Sequence, residues 1–206
     1  MPGSRMEVLS TVVFSAAILA GGRATRFGGR DKGALIVDGR PIRDRQLDVL
    51  SAVADDMLIV GGVRPPNLRE SVRHVGDRVH ECGPLGGLYT ALSETTSDAV
   101  IVVACDMPYV SVPLLQHLLA LVDGADAVVP RTERGYHPLC AAYARACLEP
   151  VARHLAERRL KVAALFDEIR VRVVDASALA AFGEPERLLA NVNTPDEYRA
   201  IETNKT

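Results

Sequence analysis

The chain has 206 residues, a length that fits one α/β domain of ordinary size. Hydrophobic residues make up 48% of it, charged residues 24%, and the formal net charge is −2. This balance predicts a soluble globular core and excludes a globally basic protein that binds nucleic acid or a membrane surface. The four cysteines form no C-x-x-C pair and no zinc-ligand spacing, so we expect reduced thiols in a cytoplasmic protein.

Apolar runs of strand length alternate along the chain with amphipathic stretches. The first apolar stretch, residues 8–20, is too short to cross a bilayer, and residues 12–19 within it are typical of a strand buried on both faces. Further strands are predicted at residues 57–60, 99–104, 127–129, 139–143 and 170–174, and helices at residues 43–54, 85–92, 113–122 and 146–155, with a last helix that starts at Thr194, Pro195 and Glu197.

This alternation predicts a single Rossmann-like three-layer α/β nucleotide-binding domain with a mostly parallel central sheet. The polar loop before residues 139–143 favours an antiparallel strand in the second half of the chain. We expect the domain to span residues 6–203 and the termini, residues 1–5 and 204–206, to be disordered.

A loop with five glycines and four basic residues, residues 19–33, follows the first predicted strand. Ligands of open α/β sheets bind at the carboxyl ends of the strands. Glycines let backbone N–H groups approach phosphate oxygens, and Arg or Lys neutralises their charge. The spacing excludes the G-x-x-x-x-G-K-[ST] loop, because Gly33 follows Lys32, and the G-x-G-x-x-G fingerprint, because a long basic stretch follows Gly22. A phosphate-binding loop of another kind is predicted.

Asp106 comes directly after the apolar run 99–104, at the same predicted sheet edge as the glycine loop. Mg²⁺ prefers one or two carboxylates together with phosphate oxygens and water. We therefore expect Asp106 to hold Mg²⁺ and to offset the charge that develops at a reacting phosphorus atom. An aspartate that only caps a turn is the alternative.

Three further segments carry candidate binding residues. The turn at residues 83–87 opens a predicted helix, whose N-terminus can hold an anion or a base edge, although such turns also occur without a ligand. Asn191 and Asn193 stand on alternate residues of an extended segment and project to the same side. His137 precedes the predicted antiparallel strand, where a structural histidine is equally compatible with the pattern.

The segment L-A-G-G-x-x-x-R-F-G-x-x-D-K at residues 19–32 resembles the signature of the molybdenum cofactor guanylyltransferase (MobA) family. Residues 83–87 (G-P-L-x-G), 105–109 (C-D-x-P-Y) and 191–195 (N-V-N-T-P) resemble further segments of that family, and the resemblance runs over residues 12–201. It implies a nucleotidyltransferase that uses Mg²⁺ and transfers GMP from GTP to the phosphate of Mo-molybdopterin. It also implies transient contact with molybdopterin-delivery proteins and molybdoenzymes, and no nucleic-acid or membrane partner.

The resemblance also assigns roles to individual residues. It implies that Arg26, Lys32 and Asp106 are catalytic and that Asp106 binds the metal. The implied nucleotide-binding residues are Leu19, Ala20, Gly21, Gly22, Lys32, Asp77, Gly83, Pro84, Leu85 and Asp106, and the implied acceptor-binding residues are His137, Asn191 and Asn193. Asp77 matches an aspartate that accepts hydrogen bonds from guanine. The family often has an Asn near the end of the second strand, where this chain has Gly61 and Gly62, so that contact to the nucleotide is expected to be missing.

Three alternatives stay open at this point. A cytidylyltransferase of the same cofactor tends to read L-A-A-G where this chain has Gly21 and Gly22. A nucleotidyltransferase could also act on another phosphorylated metabolite. A nucleotide-binding protein without catalysis would not need both Lys32 and Asp106. The basic run Arg158, Arg159 and Lys161 could meet an acceptor phosphate, but a solvated helix face is the interpretation we favour.

Overall fold

The computed structural model of the protein describes residues 13–21, 31–192 and 198. The strands are β1 (Phe14–Leu19), β2 (Ile36–Val37), β3 (Arg40–Pro41), β4 (Asp56–Val60), β5 (Val72–Val75), β6 (Ala99–Ala104), β7 (Ala127–Thr132), β8 (Gly135–Tyr136), β9 (Cys140–Ala144) and β10 (Val171–Val174). The helices are α1 (Ile42–Leu50), α2 (Gly83–Glu94), α3 (Val112–Ala120), α4 (Leu148–Ala156), α5 (Ala176–Leu179) and α6 (Pro185–Leu188), with 3₁₀ turns at Lys32–Ala34, Arg145–Cys147, Val162–Asp167 and Ala180–Phe182.

The central sheet has the strand order β10-β7-β9-β6-β1-β4-β5, and β8 pairs with β7 at one end of that strand. Strands β5, β4, β1 and β6 run parallel to one another, while β9 lies antiparallel between β6 and β7. The prediction of a mostly parallel sheet with an antiparallel strand in the second half is therefore confirmed.

Helices cover both faces of this sheet. On β1, Ala16 and Ile18 pack in the cluster that contains residues of α1 and α3, whereas Ala17 and Leu19 pack with residues of α2 and α4. Because both faces of β1 are buried, every position prefers an apolar side chain, which explains the nearly unbroken run in the sequence. The result is the three-layer α/β domain that the alternation predicted.

Some element boundaries differ from the predicted ones. Helix α1 ends at Leu50 instead of residue 54, where the Ser51 hydroxyl donates to the Asp48 carbonyl at 2.9 Å and competes with continued helix. Strand β5 was not predicted, because the polar residues Arg73 and His74 stand between its two valines and break the apolar run at the sheet edge. The β2–β3 hairpin was also missed, although its turn residues Asp38 and Gly39 are a common hairpin signal.

Two other predictions concern residues that the structure does not describe. The helix start at residues 194–197 and the termini fall outside the described residues. Within the described part of the chain, no helix is long and apolar enough to cross a membrane.

Candidate active site

The carboxyl ends of neighbouring parallel strands bring the site residues to one edge of the sheet. Just past β1, the Ala20 N–H donates to the Val60 carbonyl at 2.8 Å. Just past β6, the Cys105 N–H donates to the Leu19 carbonyl at 3.2 Å. The segments that follow β1, β4 and β6 therefore start side by side, which is where ligands of open α/β sheets bind.

Three side chains from distant segments meet at this edge and form what we call the Asp106 cluster: Lys32, Asp106 and Asn191. The Lys32 ammonium lies 2.9 Å from Asp106 Oδ2, and Asn191 Nδ2 donates to Asp106 Oδ1 at 2.7 Å. The Val192 N–H donates to the Asp106 carbonyl at 2.9 Å. Asp106 is only 8% exposed. The ammonium of Lys32 and the amide of Asn191 hold its carboxylate in one orientation.

Lys32 is positioned by a short capped turn. Asp31 precedes the 3₁₀ turn Lys32–Ala34 and accepts a hydrogen bond from the Gly33 N–H at 2.9 Å. Arg43 Nη1 donates to the other oxygen of Asp31 at 2.6 Å. A β-carbon on the buried Gly33 would lie 3.3 Å from both Asp31 Oδ1 and Arg43 Cβ, so the glycine allows this close packing. The loop residue Lys32 thereby gains a fixed backbone.

Gln46, which the sequence pattern did not reveal, holds the turn that carries Asp106. Gln46 is fully buried on α1, and its Nε2 donates to the carbonyls of Ala104 at 2.7 Å and Met107 at 2.9 Å. These two carbonyls flank Asp106 along the chain. The available signal was a polar side chain one helical turn before the buried Leu50, on the apolar face of the helix.

The donor set around Asp106 fits a divalent cation that is held mainly by substrate. No group of three or more His, Cys, Asp and Glu side chains that could hold a metal occurs among the described residues. A carboxylate offers about four lone-pair directions, and Lys32 and Asn191 occupy one on each oxygen of Asp106. One carboxylate with phosphate oxygens and water is the kind of environment that Mg²⁺ accepts.

A cavity of about 620 Å³, which we call the Asp77 cavity, opens at the same edge. It is lined by Leu19, Gly21, Asp77, Val79, His80, Glu81, Cys82, Gly83, Pro84, Gly87 and Arg158. Its volume lies within the range of small-molecule sites, roughly 300–1,000 Å³. The N-terminus of α2, at Gly83 and Pro84, forms part of its wall and turns the positive end of the helix dipole towards it.

Two glycines make room for the Asp77 carboxylate. A β-carbon on Gly61 would lie 2.8 Å from Asp77 Oδ2, and one on Gly21 would lie 3.2 Å from the same atom. Gly61 and Gly62 have φ of 73° and 64°, a conformation that favours glycine. The absence of the family's usual Asn at Gly61 and Gly62 therefore has a steric reason, because a side chain at residue 61 would displace Asp77.

The structure brings most, but not all, of the predicted nucleotide-binding residues together. Leu19, Gly21, Asp77, Gly83 and Pro84 line the Asp77 cavity. Ala20 is not among the lining residues but stands between two of them, Leu19 and Gly21. Leu85 is fully buried in the core beneath α2, so the role predicted for it cannot be a side-chain contact to a ligand. Gly22, Arg26 and Asn193 lie outside the described residues.

His137 sits in the turn between β8 and β9. Its ring Nε2 lies 2.9 Å from the Thr132 hydroxyl, and its backbone N–H donates to the Pro130 carbonyl at 2.9 Å. Burial lowers the pKa of His137, so the ring is neutral at neutral pH. A neutral ring bonded to Thr132 fits the structural alternative, and the acceptor role of His137 stays a prediction.

The basic run after α4 divides between two surroundings. Arg159 pairs with Glu168 at 2.5 Å and with Glu157 at 3.2 Å on the surface, as a solvated face predicts. Arg158 instead lines the Asp77 cavity, with its Nη1 3.8 Å from Cys82 Sγ. Arg158 is exposed, as a solvated face predicts, and it also lines the cavity.

The Cys105 thiol, next to Asp106, is a poor nucleophile. All four cysteines are free, as predicted. Burial, reinforced by the negative charge of Asp106, raises the pKa of Cys105 to about 12. A thiol with this pKa stays protonated at neutral pH, so Cys105 does not form a covalent intermediate there.

Comparison with known proteins agrees with this geometry. A family model described as a MobA-like NTP transferase domain matches residues 16–173. The chain is 33% identical to a molybdenum cofactor guanylyltransferase of Desulfosudis oleivorans, over 90% of this chain and 92% of that one. It is 34% identical to a probable molybdenum cofactor guanylyltransferase of Pelotomaculum thermopropionicum, over 89% of each chain.

Solved structures show the same fold. Molybdopterin-guanine dinucleotide biosynthesis protein A from Archaeoglobus fulgidus superposes with a TM-score of 0.76 at 24% identity, over 92% of this chain and 97% of that one. A nucleotidyl transferase from Methanothermobacter superposes with a TM-score of 0.70 at 23% identity, over 93% and 96% of the two chains.

Proposed function

Because the chain belongs to the MobA-like NTP transferase family and is a nucleotidyltransferase, we propose that it transfers GMP from GTP to the phosphate of Mo-molybdopterin. The reaction releases pyrophosphate and forms the molybdopterin guanine dinucleotide cofactor. One observation carries the proposal: the Asp106 cluster and the Asp77 cavity lie at the same sheet edge. A charged centre beside a cavity of this size suits a nucleoside triphosphate, with its phosphates at the cluster and its base in the cavity.

The transfer step needs positioning and charge stabilisation more than a strong base. An oxygen of the acceptor's phosphate attacks the α-phosphorus of GTP. A new P–O bond forms while the bond from the α-phosphorus to the bridging oxygen breaks, and pyrophosphate leaves with the electron pair. A phosphomonoester has a second pKa of about 6, so the attacking oxygen is already anionic at neutral pH. Alignment of the two anions and neutralisation of their charge therefore account for catalysis.

Each member of the Asp106 cluster has a part in this step. Lys32 supplies a compact positive charge that can bind phosphate oxygens. Asp106 would hold the divalent cation, for which we propose Mg²⁺, and the cation would offset negative charge on the phosphates. Asn191 orients the Asp106 carboxylate through its 2.7 Å hydrogen bond. We also propose that Arg26, Gly22 and Asn193 contribute as the resemblance implies.

Asp77 is the residue that favours guanine. A carboxylate can accept hydrogen bonds from N1–H and the 2-amino group of guanine, a donor pair that adenine and cytosine lack. Gly21 and Gly61 confine this carboxylate to the wall of the cavity. Guanine therefore satisfies a group that another base would leave unpaired, and leaving a charged acceptor unpaired is costly. The Asp77 carboxylate thus favours guanylyl over cytidylyl transfer.

The substrates chosen by the purified protein test this proposal. The protein is incubated with Mg²⁺, molybdopterin and each triphosphate in turn, and pyrophosphate release is followed. We expect release with GTP, and only when molybdopterin is present. Release with CTP but not GTP would show a cytidylyltransferase, and release with a sugar phosphate in place of molybdopterin would show another acceptor. Tight GTP binding without release from any triphosphate would show a binding protein.

The proposed product also defines the partners and the place of action. A pterin dinucleotide is a cofactor for other enzymes, so we propose transient contacts with a molybdopterin-delivery protein and with molybdoenzymes in the cytoplasm. The net charge of −2 gives no electrostatic attraction for nucleic acid.

A further inference from the structure

The end of α4 places an arginine in a backbone conformation that favours glycine. The Arg158 N–H donates to the Leu155 carbonyl at 3.1 Å, and the Arg159 N–H donates to the His154 carbonyl at 2.9 Å. This pair of bonds closes the helix and puts residue 158 in the left-handed region, with φ of 59°. A β-carbon is unfavourable in that conformation, so glycine is the common residue there. An arginine that keeps this unfavourable backbone conformation indicates a functional role for its side chain.

The other non-glycine residues with positive φ support this interpretation. In the described part of the chain they are Asp38, Glu81 and Arg158. Asp38 belongs to the tight turn of the β2–β3 hairpin, where an aspartate before glycine is expected. Glu81 and Arg158 both line the Asp77 cavity. Two of these three residues therefore lie at one cavity.

The surroundings of Arg158 leave most of its donors available to a ligand. Its Nη1 contacts Cys82 Sγ at 3.8 Å, and sulfur is a weak acceptor. Among the described residues it forms no ion pair with a carboxylate, whereas Arg153 and Arg159 both pair with Glu168. The guanidinium carries five N–H donors in a planar fork, and Arg158 presents this fork at the cavity wall.

We propose that Arg158 recognises the guanine base by donating hydrogen bonds to O6 and N7, while Asp77 accepts from N1–H and the 2-amino group. This inference rests on the proposed function. A guanidinium fork matches the spacing of O6 and N7 of guanine, whereas adenine presents an amino donor in place of O6. The two edges adjoin on the base, so the Asp77 carboxylate and the Arg158 guanidinium, which line the same cavity, complement guanine from both.

The position of Arg158 favours the base over the phosphates. Lys32 and Asp106, which we assign to the triphosphate, are absent from the described lining of the Asp77 cavity, while Asp77 and Arg158 share it. The proposed contact is therefore with the nucleobase end of GTP. The decrease in affinity caused by removing Arg158 should then depend on which base the nucleotide carries.

Equilibrium binding of the full-length protein to three nucleotides tests this inference. The nucleotides are GTP, 7-deaza-GTP, which lacks the N7 acceptor, and ITP, which lacks the 2-amino group. We expect the native protein to bind 7-deaza-GTP about 10-fold more weakly than GTP. Arg158→Gly should weaken GTP binding about 10-fold to 100-fold and abolish the preference for GTP over 7-deaza-GTP. Its effect on ITP should match its effect on GTP, because the proposed Arg158 contacts do not involve the 2-amino group.

Controls separate this role from a structural one and from the proposed function. Glycine suits the backbone at residue 158, so Arg158→Gly should melt at the same temperature as the native protein or higher. Arg159→Ala, which removes the neighbouring paired arginine, should leave nucleotide choice unchanged. An Arg158→Gly protein that still prefers GTP over 7-deaza-GTP, or that loses equal affinity for GTP and CTP, would overturn the inference alone. A native protein without preference for GTP over CTP would overturn the proposed function as well.

Discussion

The Asp106 cluster and the Asp77 cavity lie at one sheet edge but are built in different ways. The cluster consists of side chains bonded directly to each other, with Lys32 and Asn191 on the two oxygens of Asp106. The cavity owes its shape to backbone, because Gly21 and Gly61 leave space for Asp77 and the N-terminus of α2 forms a wall. Reaction chemistry and base selection are therefore assigned to separate parts of the site.

This difference predicts how substitutions divide. Changes in the Asp106 cluster should lower turnover while GTP still binds. Changes at the Asp77 cavity should weaken or redirect nucleotide binding while the transfer step stays intact. Substitutions in the two parts can therefore be compared by their effects on kcat and on GTP affinity, and the largest effect is expected in the Asp106 cluster.

Asp106→Asn should have the largest effect. The substitution keeps the shape of the side chain and a hydrogen bond to Asn191 but removes the negative charge that faces Lys32 and that would hold the proposed cation. We expect kcat to fall about 10²-fold to 10³-fold, which corresponds to about 2.7–4 kcal/mol of transition-state stabilisation. Steady-state pyrophosphate release gives kcat, and calorimetric titration gives GTP affinity. A decrease confined to GTP affinity would contradict the division between the two parts.

Gly61→Ala should affect the cavity instead. The added β-carbon would lie 2.8 Å from Asp77 Oδ2, so the carboxylate has to move. We expect the dissociation constant of GTP to rise about 30-fold, or about 2 kcal/mol, with kcat at saturation nearly unchanged. Gly39→Ala is the matched control, since Gly39 has a similar φ of 78° and a β-carbon added there would meet nothing within 4 Å.

Both glycine variants should lose about 1–2 kcal/mol of stability to backbone strain, which chemical denaturation measures. Only Gly61→Ala should also lose GTP affinity. Equal GTP binding by the two variants would show that Asp77 does not contact the base.

Gln46→Leu should have a moderate effect on the cluster. The leucine removes the donor that holds the Ala104 and Met107 carbonyls and leaves both buried acceptors without it. We expect the free energy of unfolding to fall by about 1–3 kcal/mol and kcat to fall about 10-fold, because the Asp106 turn loses its anchor. Ser51→Ala on the neighbouring turn is the control and should leave kcat unchanged. Normal kcat in a destabilised Gln46→Leu protein would limit Gln46 to a structural role.

The smallest effect concerns an ion-pair network remote from the Asp106 cluster. Hydrogen bonds from Arg159, then Arg153 and His154, lower the pKa of the Glu168 carboxyl from 4.5 to about 2. Because the folded pKa is the lower one, the stabilisation is present above pH 4.5 and is lost as pH falls from 4.5 towards 2. The solvent-exposed position keeps it small. Unfolding measurements on native protein and Glu168→Gln should converge across this window, and a constant difference would contradict the assignment.

Much of the fold could be predicted from the sequence because its central strands are apolar on both faces. Strands β1 and β6 and the helices that cover them follow from hydrophobic periodicity alone. Strand β5 could not be identified in this way, because Arg73 and His74 interrupt its four residues at the sheet edge. The end of α1 was also missed, since the Ser51 hydrogen bond that competes with the helix is a local effect.

The candidate site divides in a similar manner. Lys32 and Asp106 could be found because each belongs to a short motif beside a predicted strand, and Asp77 because the family resemblance includes an aspartate at its position. Gln46 was not identified, and Arg158 was interpreted as part of a solvated face, because the surroundings of both come from distant segments: two carbonyls beside Asp106 for Gln46, and a cavity wall for Arg158. The need for glycine at residue 61 could not be predicted either. It comes from the Asp77 carboxylate, which occupies the space that a side chain at residue 61 would fill.

The most direct test of the central claim follows the α-phosphorus itself. The protein is given GTP labelled at the α-phosphorus together with Mg²⁺ and molybdopterin, and the products are separated. We predict that the label appears in a pterin dinucleotide with the native protein and about 10²-fold to 10³-fold more slowly with Asp106→Asn, although both proteins bind GTP. Label that remains in GTP with the native protein, or that appears only in free GMP or GDP, would contradict guanylyl transfer at the Asp106 cluster.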